Sequence, residues 1–373
     1  MIDYVEIRNG LFETIGIIDT AKSVIWHKVY YGVGDFEIYA QVTERHFELL
    51  HRGYYVTRLN DDEVGIIEKI EVSYNTQDGL MIVASGRFAK SILERRIIYT
   101  LSGKMNKATV LRGNVESAAR ALVANNATAC DFNTNRNIQN LRLGEHSGST
   151  HIIVDAQGQA TRKQVTNKNL MEYTDSLLQE YGMSAKIILA VEGSKLEYVC
   201  FEGVDRSMNN TSGVDSIIFS SDFDNLADSD YISDDTGVRN MALIGGEGEG
   251  LDRFYSAIES EQTGLDRREI FIDASGISQK YEDDNNEEQT YTDAEYKAML
   301  DSRGKMELAQ MIQIDAFSGT ISNFGNWILN RDFSIGDIVT IQNNQIGIYA
   351  NVRITETTEI QDENGYAVSI NFE

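Results

Sequence analysis

An internal echo constrains this chain more than any other feature. Gly53-Tyr-Tyr-Val-Thr-Arg-Leu-Asn60 and Gly336-Asp-Ile-Val-Thr-Ile-Gln-Asn343 place Gly, Val-Thr and Asn at the same spacing. One gap later an aliphatic-Gly-Ile triplet falls into register, Val64-Gly65-Ile66 with Ile346-Gly347-Ile348. Downstream, Gln77-Asp-Gly79 answers Gln361-Asp-Glu-Asn-Gly365, and both stretches close on an aromatic, Phe88 and Phe372. Each copy predicts three strands joined by two tight turns, since Asn-Asn and Asn-Gly tolerate the positive φ of hairpin turns. Ile346, Ile348, Ala350, Val352 and Ile354 alternate with mostly polar neighbours, as do Ile66, Ile70, Val72 and Tyr74. That is the period of a half-buried strand. Two unrelated β meanders can share such a pattern by chance. Identities that fall in order at turns and strand starts favour a duplicated β-barrel unit.

A chain of 373 residues has room for two to four compact units. It contains no proline, where average usage of ~5% would give roughly nineteen. Proline is excluded from central strands, so its absence fits a strand-rich chain, although drift in an AT-rich genome would contribute to the same bias. Lys and Arg number 33 and Asp and Glu 58, a formal net charge of −25. This balance argues against a surface built to grip nucleic-acid phosphates or anionic membranes. No apolar run approaches the roughly 20 residues of a membrane span, and Met1-Ile-Asp-Tyr lacks the basic and apolar regions of a signal peptide. The expectation is a soluble protein that accumulates in a cytoplasm. Cys130 and Cys200 are too few and too far apart for a disulfide framework or a zinc site, and are expected to be buried as small apolar residues.

Residues 1–88 read as nearly continuous strand: Tyr4–Ile7, Phe12–Ile18, Ser23–Trp26 and Gly34–Tyr39, with Phe36, Ile38, Ala40 and Val42 on one face. A short helix is expected over Glu44–Leu50 and a helical stretch over Phe88–Arg96. From about 106 the pattern turns to an inserted α/β subdomain. Asn114 caps one helix there, and Asn167 or Asn169 starts another, whose Leu170, Tyr173, Leu177 and Leu178 form an apolar stripe ending at Gly182. Between these helices, 127–166 reads as loops with one or two strands such as His151–Val154. Lys186–Val191 and Leu196–Phe201 predict a strand pair turning at Gly193. Strands follow at Ser216–Ser220 and Asn240–Ile244. Thr292 and Glu295 form a capping box for a helix running towards Gln310, which Gly304 is expected to interrupt. Residues 215–301 carry 23 acidic and 6 basic side chains, so most of the negative charge sits there.

No constellation carries chemistry. Gly245-Gly-Glu-Gly-Glu-Gly250 follows a strand, but it lacks the third glycine of a phosphate loop, and its two glutamates would repel phosphate. A plain strand connection is the better reading. Asp222, Asp224, Asp228, Asp230, Asp234 and Asp235 have calcium-like density without the ligand order of an EF-hand, and a solvated acidic loop accounts for them. Glu282–Glu288 reads as a self-repelling loop. His146 and His151 share a Ser/Gly loop without a helix to align them as zinc ligands. No Ser elbow, Cys–His pair or His-Glu-x-x-His string is present, and no carboxylate pair stands out. The sequence therefore assigns no catalytic, cofactor-binding or metal-binding residue and predicts no enzyme.

Several strings, in order along most of the chain, resemble the siphophage tail-hub family. This is the N-terminal hub part of tail-associated proteins, related to contractile-phage baseplate hubs. They include Gly34-Asp-Phe-Glu-Ile-Tyr39, Gly65-Ile-Ile-Glu68, Gly86-Arg-Phe88, Leu93-Glu-Arg-Arg96 and Gly203-Val-Asp-Arg-Ser207. Phe219-Ser-Ser-Asp-Phe-Asp-Asn-Leu226, Arg267-Arg-Glu269, Asp273-Ala and Gly336-Asp-Ile-Val339 complete the set. The resemblance implies a mainly β chain with α+β insertions, forming two tail-tube-like β-barrel domains plus two outer subdomains. The expected division is 1–108 with 196–222 for the first barrel and 109–195 for the inserted α/β subdomain. The second barrel takes 223–278 with 310–373, and 279–309 forms a small helical outer subdomain. It also implies a homotrimer at the virion tail tip, assembled in the host cytoplasm. The implied partners are a distal tail or tail-tube protein, a tape-measure protein, and tail fibre or receptor-binding proteins. Duplex DNA would pass transiently through the lumen, with no membrane insertion and no cofactor. Many relatives continue into a peptidase or fibre-binding region; this chain reads as the bare hub. A tail-associated cell-wall hydrolase and a carbohydrate-binding module remain as alternatives.

Overall fold

A computed structural model describes residues 4–59, 61–98, 109–155, 158–190, 193–282, 287–309, 311, 314–321, 327–345 and 347–373. Expectations resting on Met1, Asn60, Val191, Gln310, Ile346 and most of the acidic loop after Glu282 lie outside them. The chain is mainly β.

Its first part follows the alternation closely. β1 (Val5–Arg8), β2 (Thr14–Ile18), β3 (Ser23–Val29) and β4 (Asp35–Gln41) lead to the short helix α1 (Glu44–Leu49), then β5 (Tyr55–Arg58), β6 (Gly65–Ile66), β7 (Lys69–Asn75) and β8 (Gly79–Arg87). Phe36, Ile38 and Ala40 are buried along one face of β4, and Thr43 caps α1 by accepting from the His46 N–H. The stretch expected to be helical after Phe88 is a 3₁₀ turn, Ala89–Arg95, with Ile92 buried.

The first insertion comprises β9 (Thr109–Arg112), α2 (Val115–Val123), β10 (Leu141–Leu143), β11 (Arg162–Val165), α3 (Leu170–Gln179), β12 (Met183–Leu189) and β13 (Leu196–Glu202). Asn114 and Asn169 cap the two helices through their side-chain oxygens. Gly182 and Gly193 take the left-handed conformation that ends α3 and turns β12 into β13. β13 is the centre of the sheet β10-β13-β12, and Leu196, Tyr198 and Cys200 lie in a core shared by the insertion and by Phe12, Val64, Ile66 and Leu93 of the first part. Residues 196–202 thus pair with strands of the insertion while packing against both parts. The chain then continues through β14 (Ile218–Ser220) and β15 (Leu226–Asp234).

A second insertion follows: β16 (Met241–Gly245), β17 (Tyr255–Ile258), β18 (Glu269–Asp273) and α4 (Asp293–Leu308). The outer subdomain is therefore larger than 279–309, because Ala242, Ile244 and Ile272 share a core with Tyr296, Met299 and Leu300 of α4. The Thr292–Glu295 capping box forms as predicted. Gly304 does not interrupt α4. It lies against Ile244 and Ile258, where a Cβ would stand 2.8 Å from the Cδ1 methyl of each, so its small size serves packing. The chain ends in β19 (Ile314–Ile321), β20 (Ile338–Asn343), β21 (Ile348–Asp362) and β22 (Gly365–Phe372).

Two four-stranded units of identical order make up one continuous sheet, β15-β19-β22-β21-β3-β4-β8-β7, and β20 pairs with the first half of β21. In each unit the first two strands pair antiparallel, joined directly in the first unit and across the second insertion in the second, and a hairpin pairs back with their inner strand. The sheet β2-β1-β5-β6 covers the first unit, burying Val5, Ile7 and Val56 against Trp26, Phe36 and Ile82. Phe219, Phe333, Val339, Ile354 and Phe372 fill the second. β14 lies parallel to β20, whereas β1 runs antiparallel to β5, so the units differ in their covering layer. Among the described residues no sheet closes into a barrel; the expected pair of barrels is an open sheet with β7 and β15 as its edges.

The echo is structural at its first half and shifts at its second. Val56 and Val339 both lie three residues after a left-handed glycine, Gly53 (φ 85°) and Gly336 (φ 92°). Gly65 pairs with Val56, while Val352 pairs with Val339; Gly65 therefore corresponds to Val352 and not to Gly347. The β20–β21 hairpin is longer, and Gly347 sits at its tip.

Candidate assembly interface

The joint between the units is the antiparallel pair β21·β3, in which Glu359 stands opposite Trp26 and Thr357 opposite Lys28. Alternation sends Trp26 and Lys28 of β3, and Thr357 and Glu359 of β21, to the buried side. Charges placed there need partners. Arg58, from β5, pairs with Asp61 at 2.8 Å and with Glu359, and its guanidinium lies 5.1 Å from the centre of the Trp26 ring. Lys28 pairs with Asp61 at 2.8 Å and stands 3.5 Å from Glu63. Tyr366 donates to Glu359 at 2.5 Å. Residues from β3, β5, the β5–β6 loop, β21 and β22 thus meet in one network across the joint.

Burial alone would raise the Asp61 carboxyl, but Lys28 and Arg58 outweigh it and hold the group at about 2. Burial also dominates at Glu63 and pushes its carboxyl up, with Lys28 only partly offsetting it. Lys28 moves up from its ordinary value: burial opposes its charge, while Asp61 and Glu63 favour it. Sequence reasoning missed this network. Its signal was the point where alternation turns polar, after Ile354 in β21 and after Trp26 in β3.

The outer edges present the same two strand positions with no further strand paired to them among the described residues. Aligning the hairpins places Val72 of β7 where Glu359 stands, and Tyr231 of β15 where Trp26 stands. At the joint Trp26 is 0% and Glu359 4% exposed; at the edges Val72 is 46% and Tyr231 45% exposed. Tyr74, Leu80 and Ile232 are exposed beside them. Among the described residues neither edge strand has a second partner, and open apolar edges recruit strands.

The positions weighed in the sequence do not converge. His151 faces Glu202 at 3.3 Å and His146 faces Glu116 at 3.5 Å, two separate carboxylates. Among the acidic run, Asp222 accepts from Asn344, Asp234 from the Thr236 N–H, and Asp235 pairs with Arg268. No group of His, Cys, Asp or Glu among the described residues is arranged to hold a metal ion. In the glycine-rich loop the Glu247 N–H donates to the Tyr296 hydroxyl and the Glu247 carboxylate accepts from the Gln279 N–H, which ties the loop to its subdomain. Cys130 and Cys200 are free and buried, and burial pushes the Cys200 thiol up to about 12. No helix among the described residues is long and apolar enough to cross a membrane.

The profile of the Siphovirus ReqiPepy6 Gp37-like proteins matches residues 4–372. No curated protein sequence matches the chain. In fold it is similar to the 43 kDa tail protein of prophage MuSo2 from Shewanella oneidensis. That match has a TM-score of 0.59 at 14% identity, covering 99% of this chain and 98% of the other. It is also similar to the tail protein from Neisseria meningitidis MC58, with a TM-score of 0.58 at 12% identity, covering 99% and 95%.

Proposed function

The chain belongs to the Siphovirus ReqiPepy6 Gp37-like protein family and is a phage-tail structural protein, and from that premise we propose that it is a tail-tip hub. In this reading three copies form a ring that extends or closes the tail tube around a channel for DNA. One observation carries it. The β21·β3 joint is a head-to-tail contact between equivalent units, and the free edges β7 and β15 are the same two strand positions left open.

A head-to-tail contact repeated by rotation closes a ring. Two units per chain make six units from three chains, a threefold object able to dock on a sixfold tube. Each unit would complete its tube-like barrel within that ring, with the two insertions lying outside. The tail-tube, tape-measure and fibre or receptor-binding proteins are the partners this position implies. The acidic chain lets duplex DNA slide without sticking.

Copying the joint's register onto the edges sets Val72 opposite Tyr231, Glu71 opposite Ile232 and Lys69 opposite Asp234 of the next subunit. The second pair opposes no like charges, and the third is an ion pair. Directly opposed residues bring Cβ atoms within about 4.5–5.5 Å, close to disulfide reach. A Val72→Cys, Tyr231→Cys double variant, oxidised at high protein concentration, should give a ladder that ends at a covalent trimer. Cys130 and Cys200 are buried and contribute no background. A ladder ending at dimers, one running past trimers, or cross-linking by Val72→Cys alone would reject the reading.

A further inference from the structure

Among the described residues, the second insertion leaves one sheet face bare. β16 runs parallel to β18 and antiparallel to β17, and α4 covers one side of this three-stranded sheet. A solvated sheet face ordinarily carries polar side chains. Here the open face carries Leu243, Tyr255 and Phe271, at 39%, 50% and 51% exposure. Leu251 and Leu265, in the turns at the two ends of β17, are fully exposed. The Arg253 guanidinium lies 5.8 Å from the Tyr255 ring centre and 5.4 Å from that of Phe271, held by Asp273 and the Gly245 and Gly246 carbonyls. Tyr, Phe and Arg at the centre of an apolar patch are the composition of a protein-binding hot spot.

Charge selects the occupant. Residues 241–273 hold eight Asp or Glu and three Arg, with no Lys, a net of −5. A second copy would oppose one acidic rim with another, so self-association is disfavoured. The three-strand face spans only about 200 Å², well short of the ~800 Å² per partner of a stable standard interface. It therefore fits a contact repeated around a ring, where several weak sites act together.

We infer that this face docks a different tail protein, one presenting apolar side chains ringed by Lys or Arg. The inference rests on the tail-hub reading. Its test compares the purified full chain with isolated assembled tails by hydroxyl-radical footprinting. Tyr255, Phe271, Leu251 and Leu265 should become several-fold less reactive in tails. A photoreactive benzoylphenylalanine replacing Phe271 should cross-link to a Lys- or Arg-bearing segment of another tail protein. The exposed reversals Glu261→Lys and Asp266→Lys should make that cross-link fall several-fold.

Unchanged reactivity of Tyr255 and Phe271 overturns the inference. If Tyr74 and Tyr231 are protected meanwhile, the ring reading survives it. A cross-link to another copy of this chain, or to polysaccharide, also overturns it. So does a cross-link indifferent to the charge reversals.

Discussion

Asp61→Asn tests whether the ion network holds the two units together. Asp61 is fully buried and bonds both Lys28 and Arg58. Its carboxyl sits at about 2 against an ordinary 3.8, a difference worth about 2 kcal/mol at roughly 1.4 kcal/mol per tenfold change in proton affinity. Removing the charge also leaves two cations with less compensation; breaking a buried pair costs about 3–5 kcal/mol. A loss of about 2–5 kcal/mol brackets both figures, and amides of β3 and β21 that open with the joint should exchange about 30- to 5,000-fold faster. Hydrogen exchange on the full chain reads this strand by strand, which suits a protein of several cores better than one melting temperature.

The pH dependence supplies a second test of the same network. A carboxyl held below its unfolded value contributes stability that is present above about pH 4 and is lost as pH falls towards about 2. That slope should be flattened in Asp61→Asn. Glu63 has the opposite sign: its raised carboxyl costs stability at neutral pH, relieved as pH falls through its raised value. Glu63→Gln should therefore leave exchange at pH 7 unchanged or slower. Exchange in Asp61→Asn within threefold of wild type, or equal damage from both variants, would refute the network's role.

Three further outcomes are expected. Gly336→Ala forces a Cβ to 2.2 Å from the Tyr30 ring at φ 92°, whereas Gly53→Ala meets open space at φ 85°. The first should lose more than about 3 kcal/mol and most soluble yield, and the second only the left-handed strain of about 1–2 kcal/mol, read by urea unfolding. Gly304→Ala gains about 1 kcal/mol in helix propensity but overpacks Ile244 and Ile258 at about 1–3 kcal/mol, so chemical denaturation should show a net loss. Peptidoglycan incubated with the purified chain should release no more muropeptide than buffer; release that disappears on neutralising one acidic residue would make the protein a hydrolase.

What the sequence made legible was local. The strand alternation of Phe36, Ile38 and Ala40, the caps at Asn114, Asn169 and Thr292, and the left-handed Gly182 and Gly193 each depend on neighbours a few residues away. The echo exposed the duplication because both copies need a positive-φ glycine before the same Val-Thr strand. It misplaced Gly65 because hairpin length is not a local quantity: Gly65 is small to clear Phe36, whose ring would lie 2.5 Å from an added Cβ, while Gly347 turns a tip. Gly304 looked like a breaker for a similar reason, since its neighbours Ile244 and Ile258 are remote in sequence. The candidate interface was half legible. Val72 and Tyr74 read as a strand face, yet only the assembled sheet reveals that they stay exposed at its edge. Tyr231 stands where Trp26 does only after two distant hairpins are paired.

The two units differ in one strand. β21 runs unbroken for 15 residues, bonded first to β20 and then to β22 and β3. Its counterpart is cut into β6 and β7 at Ile67-Glu68, where Gly86 admits the Ile66 carbonyl; a Cβ there would lie 1.8 Å from that oxygen. β21 is thus one strand with a single bulge between Ile354 and Glu356, and β6–β7 is a jointed one. In the proposed ring of three chains, continuous and jointed strands would alternate around the wall. Load along the axis would then bend it first at the three joints and not at six, and a sixfold tube above would be met by a tip that flexes as a tripod.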